Sequence, residues 1–370
     1  MCIRDRFGND IDSIVVINEA VWDPAATGGN IWNYSGSFEK WWGMGVDDVR
    51  GTIPEFSRRA FQLAREYFPT EVKLIYNDYN HGNRNGKADA IFGFVQSLAD
   101  LNVKPDVIGF ESHYEIRNDG QVWCLDQGPS TIRMDLDAWG RNVDRYTALG
   151  IESHITELDM QIPANTSEWR YEQARQLGRI ADFAASRFDI TSMTYWVNYD
   201  GGDPNWVPDR YATLFSGDGR PKEAFYAVQL GLLGILQNQV YRISDDWTQN
   251  YMLVGSGNAG THVVTHRSNP AWSAGMWTVR IDSEGAIQLE SRQHSTRVIE
   301  ARGNGQVRLE EDRNTAAQSW RVWRGSSWDS ISLANESTGS HLNSVGQHDN
   351  AWLYVWFPTG LENQNWRFQP

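Results

Sequence analysis

The sequence predicts an α/β chain: five units of a (β/α)8 barrel, then a smaller all-β unit with threefold repetition. Three observations carry this. Between residues 14 and 236, short and nearly continuous apolar runs alternate with segments of helical period. After Gln237 the helical period vanishes, and short β-like runs are separated by Ser, Asn and Gly clusters. Within that second stretch Trp277, Trp320 and Trp366 recur 43 and 46 residues apart.

The apolar runs lie at 14–17, 72–76, 107–110, 151–156 and 190–196. Their unbroken apolar or β-branched character is that of parallel strands covered on both faces. Between the first two, Thr52 and Glu55 have capping-box spacing with Pro54 in the first turn. Phe56, Ala60, Phe61, Ala64 and Tyr67 then form one helix face, and Pro69 ends it. Ala90, Ile91, Phe94, Val95, Leu98 and Leu101 form the next face; Ile132, Leu136, Trp139, Val143 and Tyr146 a third; Tyr171, Ala174, Leu177, Ala181 and Ala184 a fourth. Residues 222–236 give a fifth helix. An open doubly wound sheet is the competing fold. It would place a Gly-rich phosphate loop after the first strand, where this chain has Asn18-Glu19-Ala20. A full barrel takes eight units in about 250 residues, so three units are expected to be missing and the outer strands to be open edges.

Residues 1–12 carry no apolar signal segment and are read as a non-native or disordered leader. The barrel part is assigned to 13–238 and the all-β part to 239–370. In the latter, Gln318-Ser-Trp320-Arg and Gln364-Asn-Trp366-Arg share one pattern, while Gly275-Met-Trp277-Thr lacks the Gln. A generic β-sandwich is the alternative to a threefold unit. No Pro-rich linker separates the parts.

Composition narrows the partners. With 33 Lys+Arg against 47 Asp+Glu, the net charge of −14 disfavours nucleic acid. No apolar run approaches the ~20 residues of a bilayer span. Cys2 and Cys124 make neither a disulfide framework nor a four-cysteine metal site. His81 and His113 lack metal-ligand spacing with them, so no metal or cofactor is expected. The acidic groups Asp245-Asp246 and Glu310-Glu311-Asp312 are read as solvated faces, with calcium binding as the alternative, and Cys124 as a loop residue. The 18 Trp, 14 Tyr and 14 Phe offer flat apolar surfaces with polar edges, which suit sugars or a Trp-rich core.

Barrel enzymes carry their chemistry at the C-terminal ends of strands. Here these ends read Asn18-Glu19, Asn77-Asp78-Tyr79-Asn80, Glu111-Ser112-His113, Glu157-Leu158-Asp159, and Trp196 with Asp200 and Trp206 beyond. Glu19 and Glu157 each follow a buried strand, and a carboxyl pair is what glycoside hydrolysis requires.

Val16-Ile-Asn-Glu-Ala20, Lys73-Leu-Ile-Tyr-Asn-Asp-Tyr-Asn80, Gly109-Phe-Glu-Ser-His113, Ile155-Thr-Glu-Leu-Asp159 and Leu214-Phe with Pro221-Lys222 stand in the order of glycoside hydrolase family 10, the endo-β-1,4-xylanases, which this stretch resembles. The resemblance implies Glu19 as acid/base and Glu157 as nucleophile of a retaining reaction. It implies Asn18 as a holder of a sugar hydroxyl and His113 as the imidazole on the nucleophile. Trp196 and Trp206 become aromatic walls, and Tyr79 lines the leaving-group side. The retaining mechanism places the two carboxyl groups ~5–5.5 Å apart. Three departures stand out: Glu111 replaces a Gln and brings a third carboxylate, Val197 replaces a Gly, and the first three βα units are absent. The spacing from Asp200 to Trp206 is also longer than usual. The expected partner is plant cell-wall xylan or its oligosaccharides, hydrolysed by a secreted, monomeric parent. The truncated chain itself is expected to fold poorly or turn over slowly. A β-glucanase of the same fold and a non-catalytic sugar-binding protein are the alternatives.

The Gln-x-Trp repeats resemble the ricin-type β-trefoil lectins, which implies a carbohydrate-binding module. Its nearest contact residues are Glu300 in the second lobe and Asn343, Trp352 and Tyr354 in the third.

Overall fold

The structure is a computed structural model describing residues 11–21, 46–47, 53–125, 132–202, 211–254, 258–267, 273–282, 284–325 and 330–370. The chain forms two compact units. One comprises Met1–Asn165 with Arg187–Thr213, and the other Thr166–Ser186 with Leu214–Pro370.

The first unit contains the strands foreseen from the apolar runs: β1 (Ser13–Asn18), β4 (Lys73–Asp78), β5 (Val107–Phe110), β8 (Glu152–Gln161) and β9 (Ile190–Tyr195). A two-residue pair, β2 (Val46–Asp47) and β3 (Ile53–Pro54), precedes helix α1 (Glu55–Tyr67). Thr52 of the expected capping box lies outside the described residues. Helices α2 (Gly86–Asp100) and α3 (Leu136–Thr147) follow their strands. Asn85 and Asp135 cap them by accepting from the N–H of Ala88 and Ala138. Phe56 and Phe61 are buried as foreseen, whereas Tyr67 is exposed at the end of α1.

The order β1-β4-β5-β8-β9 is parallel throughout. The central β4 and β5 are almost wholly buried. The outer two are not: among the described residues β1 pairs only with β4 and β9 only with β8, and both are partly exposed. Full coverage on both faces, expected for all five, therefore holds only for β4 and β5; β8 is partly exposed along its first half.

The sheet is mixed rather than purely parallel. Residues after Glu111 continue as β6 (His113–Ile116), which turns into antiparallel β7 (Val122–Cys124). β6 pairs parallel with the far half of β8, while the near half of β8 pairs with β5. Cys124 is thus a buried strand residue, not a loop residue.

The second unit holds helices α4 (Ser167–Ala185) and α5 (Glu223–Gly231) with the strands from β10 (Val240–Asp245) to β21 (Trp366–Gln369). The two helices pack backbone against backbone: a Cβ on Gly231 would sit 2.2 Å from the carbonyl oxygen of Gly178. Arg170 and Glu223 tie them at 2.9 Å. The compact division thus runs differently from the boundary at 238/239, because α4 and α5 group with the β strands. The fifth helix is also shorter than the expected 222–236.

The twelve strands form one antiparallel all-β assembly. Short 3-10 turns at Ser273–Gly275, Ala316–Gln318 and Glu362–Gln364 lead into β13 (Met276–Ile281), β17 (Trp320–Arg324) and β21 (Trp366–Gln369). The three repeat tryptophans are completely buried in one apolar core. Gln318 and Gln364 clamp the backbone in the same way. Each accepts from the N–H five residues back (Arg313, Thr359) and donates to the carbonyl seven residues back (Glu311, Phe357), at 2.7–3.0 Å.

The acidic groups are only partly solvated. Asp245 is buried and caps Thr248, and Glu310 is buried against Arg302. Among the described residues no helix is long and apolar enough to cross a membrane.

Candidate active site

Parallel strands in register bring their C-terminal ends to one edge, and the pairing decides which side chains meet. Asn18 lies beside Asn77, Asn77 beside Gly109, and His113 beside Asp159. Asn77, absent from the sequence-based candidates, is the hub. Its Nδ2 lies 2.7 Å from Asn18 Oδ1, 2.9 Å from Glu157 Oε1 and 3.1 Å from Glu111 Oε1, while its Oδ1 accepts from the Thr156 hydroxyl at 2.5 Å. Two N–H bonds thus serve three oxygens, and one is always shared. Only glycine fits opposite this amide: a Cβ on Gly109 would stand 2.3 Å from Asn77 Oδ1.

The Asn18 amide in turn donates to Glu19 Oε1 at 3.4 Å. Glu19 and Glu157 are therefore joined through two amides, Asn18 and Asn77. The backbone of Glu19 adopts φ of 50°, Ser112 64° and Val197 54°. With Asn80 at 54°, four non-glycine residues with left-handed backbone at strand ends mark a strained rim. Val197, β-branched, is the costliest of them.

His113 is buried between three carboxylates. Its Nδ1 lies 3.2 Å from Asp159 Oδ1, and its Nε2 lies 3.4 Å from Glu111 Oε2 and 3.5 Å from Glu157 Oε2. Burial alone would strip its proton. The bonds to Asp159, Glu111 and Glu157 more than offset that and hold its pKa well above the ordinary value. Glu111, only 2% exposed, is pushed up to about 7 by burial, then by the neighbouring Glu157 and Glu19, against the bond to His113. Glu19 is raised by burial and by Asp78, opposed by Lys87.

Among the described residues, Glu111, His113 and Glu157 bring donor atoms within 4.8 Å of one another, the span a metal ion needs. These atoms already bond to Asn77 or face one another across the imidazole, so the set reads as a hydrogen-bonded network.

Trp196 stands at the rim, 37% exposed, its ring edge-on to His113 at 6.4 Å. Tyr79 covers the Lys87 ammonium with its ring, 2.9 Å from ammonium to centroid. Trp206 lies outside the described residues. Sequence reasoning also passed over Asp78, Lys87 and Asp159 as site residues. Asp159 had a signal, since it lies two residues beyond Glu157 on one strand and so shares its face. Lys87, one residue into a helix, looked like any solvated lysine.

A scan of family descriptions matches residues 2–230 to the "Glycosyl hydrolase family 10" model. The chain belongs to glycosyl hydrolase family 10. An endo-1,4-beta-xylanase B from Thermotoga neapolitana is 26% identical over 221 residues, covering 58% of this chain and 54% of the relative. An endo-1,4-beta-xylanase from Geobacillus stearothermophilus is 30% identical over 231 residues, covering 58% and 60%. This family 10 chain thus spans little more than half the length of those curated relatives. A solved xylanase from Cellvibrio japonicus matches at a TM-score of 0.50 and 21% identity, covering 63% of this chain and 68% of the other; it shares the fold.

In the all-β unit the sugar-contact candidates part company. Glu300 is buried, its carboxylate bound by Arg313 at 2.6 Å and by Gln318 at 2.8 Å, with Arg302 at 3.4 Å. That is the setting of an internal anchor. Trp352 and Tyr354 share the outer face of β20 (Ala351–Trp356), with Trp352 43% exposed. Trp352 stacks on His262 at 3.7 Å and lies 28° from the Tyr354 plane. Asn343 pairs opposite Tyr354 on β19 (His341–Ser344). Trp356, exposed on the same face, continues the row and was not foreseen.

Proposed function

We propose that this chain carries the cleavage centre of an endo-1,4-β-xylanase, acting by double displacement with retention at the anomeric carbon of xylan. The relatives' names supply the substrate class. The observation that carries the reading is Asn77, whose amide links the Glu157 carboxylate to Asn18 and through it to Glu19. In the first step Glu157 bonds to the anomeric carbon while Glu19 gives its proton to the departing glycosidic oxygen. In the second, Glu19 takes a proton from water, the water oxygen bonds to the same carbon, and Glu157 leaves as carboxylate. The polarity of the site suits both steps: Glu19 has its proton affinity raised, and Glu157 faces two donors, Asn77 and His113.

Reducing-sugar release from xylan, with the anomeric configuration followed by NMR, tests this. Glu157→Ala and Glu19→Ala should each lower release by about a hundredfold or more, and the first-formed product should keep the β configuration. Release unaffected by either substitution would overturn the reading, and greater release from a β-glucan than from xylan would reassign the substrate.

The proposal extends to architecture. The five parallel units form part of a (β/α)8 barrel. The β10 to β21 assembly is a β-trefoil, supported by its three 3-10 turns, three buried tryptophans and paired Gln clamps. Its exposed ring row on β20 fits the apolar face of a polysaccharide. We also propose secretion of the whole protein, since an insoluble cell-wall polysaccharide is reached only outside the cell.

A further inference from the structure

Behind Glu19 lies a buried ion pair outside the carboxylate network. Lys87, in the first turn of α2, is 1% exposed, and its Nζ lies 2.8 Å from Asp78 Oδ1 and 2.9 Å from the centre of the Tyr79 ring. Asp78 is fully buried and follows Asn77 on β4. Its Oδ2 accepts from the N–H of Val21 at 3.3 Å and from the Tyr76 hydroxyl at 2.5 Å, and its Oδ1 from the N–H of Tyr79 at 2.9 Å. The N–H of Glu19 donates to the Asn77 carbonyl at 2.9 Å. The turn that presents Glu19 is therefore fastened at both ends to residues 77 and 78. A charge in such an interior persists only when paired. Here the pair stands beside a group whose proton matters.

We propose that Asp78 and Lys87 are a positioning pair for Glu19: Asp78 fixes the turn from Glu19 to Val21, and the balance of the two buried charges sets the pH range over which Glu19 holds its proton. The proposal rests on reading Glu19 as the acid/base. After burial, Asp78 and Lys87 exert the largest effects on Glu19, in opposite directions, ahead of Glu157 and His113. The other titratable groups around the pair and Glu19 are Glu111, Tyr76, Tyr79, His81 and Tyr146. His81, buried, is held down at about 4 and so neutral, and burial pushes Tyr76 and Tyr146 up. The second cation near Glu19 is His113, held protonated by its carboxylates, and it acts on Glu19 more weakly than Lys87 does. Loss of Lys87 removes the larger lowering charge, and loss of Asp78 removes the larger raising one. The two losses must move Glu19 in opposite directions.

The test is a carboxyl-carbon NMR titration of the full chain with labelled glutamate, the Glu19 signal assigned by its absence in Glu19→Gln. Lys87→Met should raise the Glu19 midpoint and Asp78→Asn should lower it, each by on the order of one pH unit. The double variant should return close to wild type. Xylan hydrolysis should shift its alkaline limb in the same order. Midpoints that move together, or stay put in folded single variants, overturn the proposal. If a single variant does not fold, the charge-neutral double variant decides: a midpoint displaced by a full unit overturns it, and one near wild type supports it. Xylan release retained by Glu19→Gln would instead refute the role of Glu19, with the titration still judging the pair.

Discussion

Glu111 receives a donor from Asn77, faces the imidazole of His113 and has Glu157 and Glu19 as electrostatic neighbours, all while almost completely buried. Its pKa lies at about 7 in the folded chain against 4.5 for an ordinary glutamate. A carboxyl raised on folding contributes stability that is fully present below the unfolded value and is lost as pH rises through the folded one. The loss between about pH 4.5 and 7 amounts to about 3 kcal/mol. Glu111→Gln cannot ionise, so its unfolding midpoint should gain on wild type across that interval and run parallel above it. Thermal melts over pH 4–9 check this, and a constant difference would show that Glu111 is compensated. The sequence carried a trace of this, because a third carboxylate stood where the family pattern has an amide. Lys87 carried no trace, since its burial depends on Tyr79 and Asp78 closing over it.

At the level of elements, all five parallel strands were legible as apolar runs, and four of the helices as apolar faces. The β6–β7 hairpin was not. Its residues, His113-Tyr-Glu-Ile, read as a polar strand end, and only the unusual length of β8 gives β6 an edge to join. The close approach of α4 and α5 was also hidden, because it depends on Gly178 and Gly231 coinciding across helices distant in sequence. Gly231→Ala should force the pair apart and cost about 1–3 kcal/mol, measured by chemical denaturation. An unchanged midpoint would show the helices to be free to separate. The Gln repeat was legible in the all-β unit, but its job became visible only in the hydrogen bonds. Gln364→Ala should leave the Thr359 N–H and the Phe357 carbonyl short of a partner and destabilise that unit by about 1–3 kcal/mol.

For the whole molecule, the proposed cleavage centre in one unit and the proposed sugar-binding ring row in the other predict two separable activities. Glu157→Ala should abolish sugar release yet leave retention on insoluble xylan, while Trp352→Ala should weaken retention by several-fold and spare cleavage of short soluble oligosaccharides. Pull-down on insoluble xylan beside a reducing-sugar assay checks both at once. Retention lost in Glu157→Ala would place binding at the strand ends around Glu157 instead.

The crowding at Asn77 has a consequence for anyone altering this protein. Because one amide is shared among side chains from separate strands, their substitutions will not behave as independent entries in a mutational table. Changes at Asn18, Glu111 or Thr156 should show strong pairwise epistasis with Glu157. Adapting the site to another pH therefore calls for coordinated replacement around that joint, not for single exchanges made one after another.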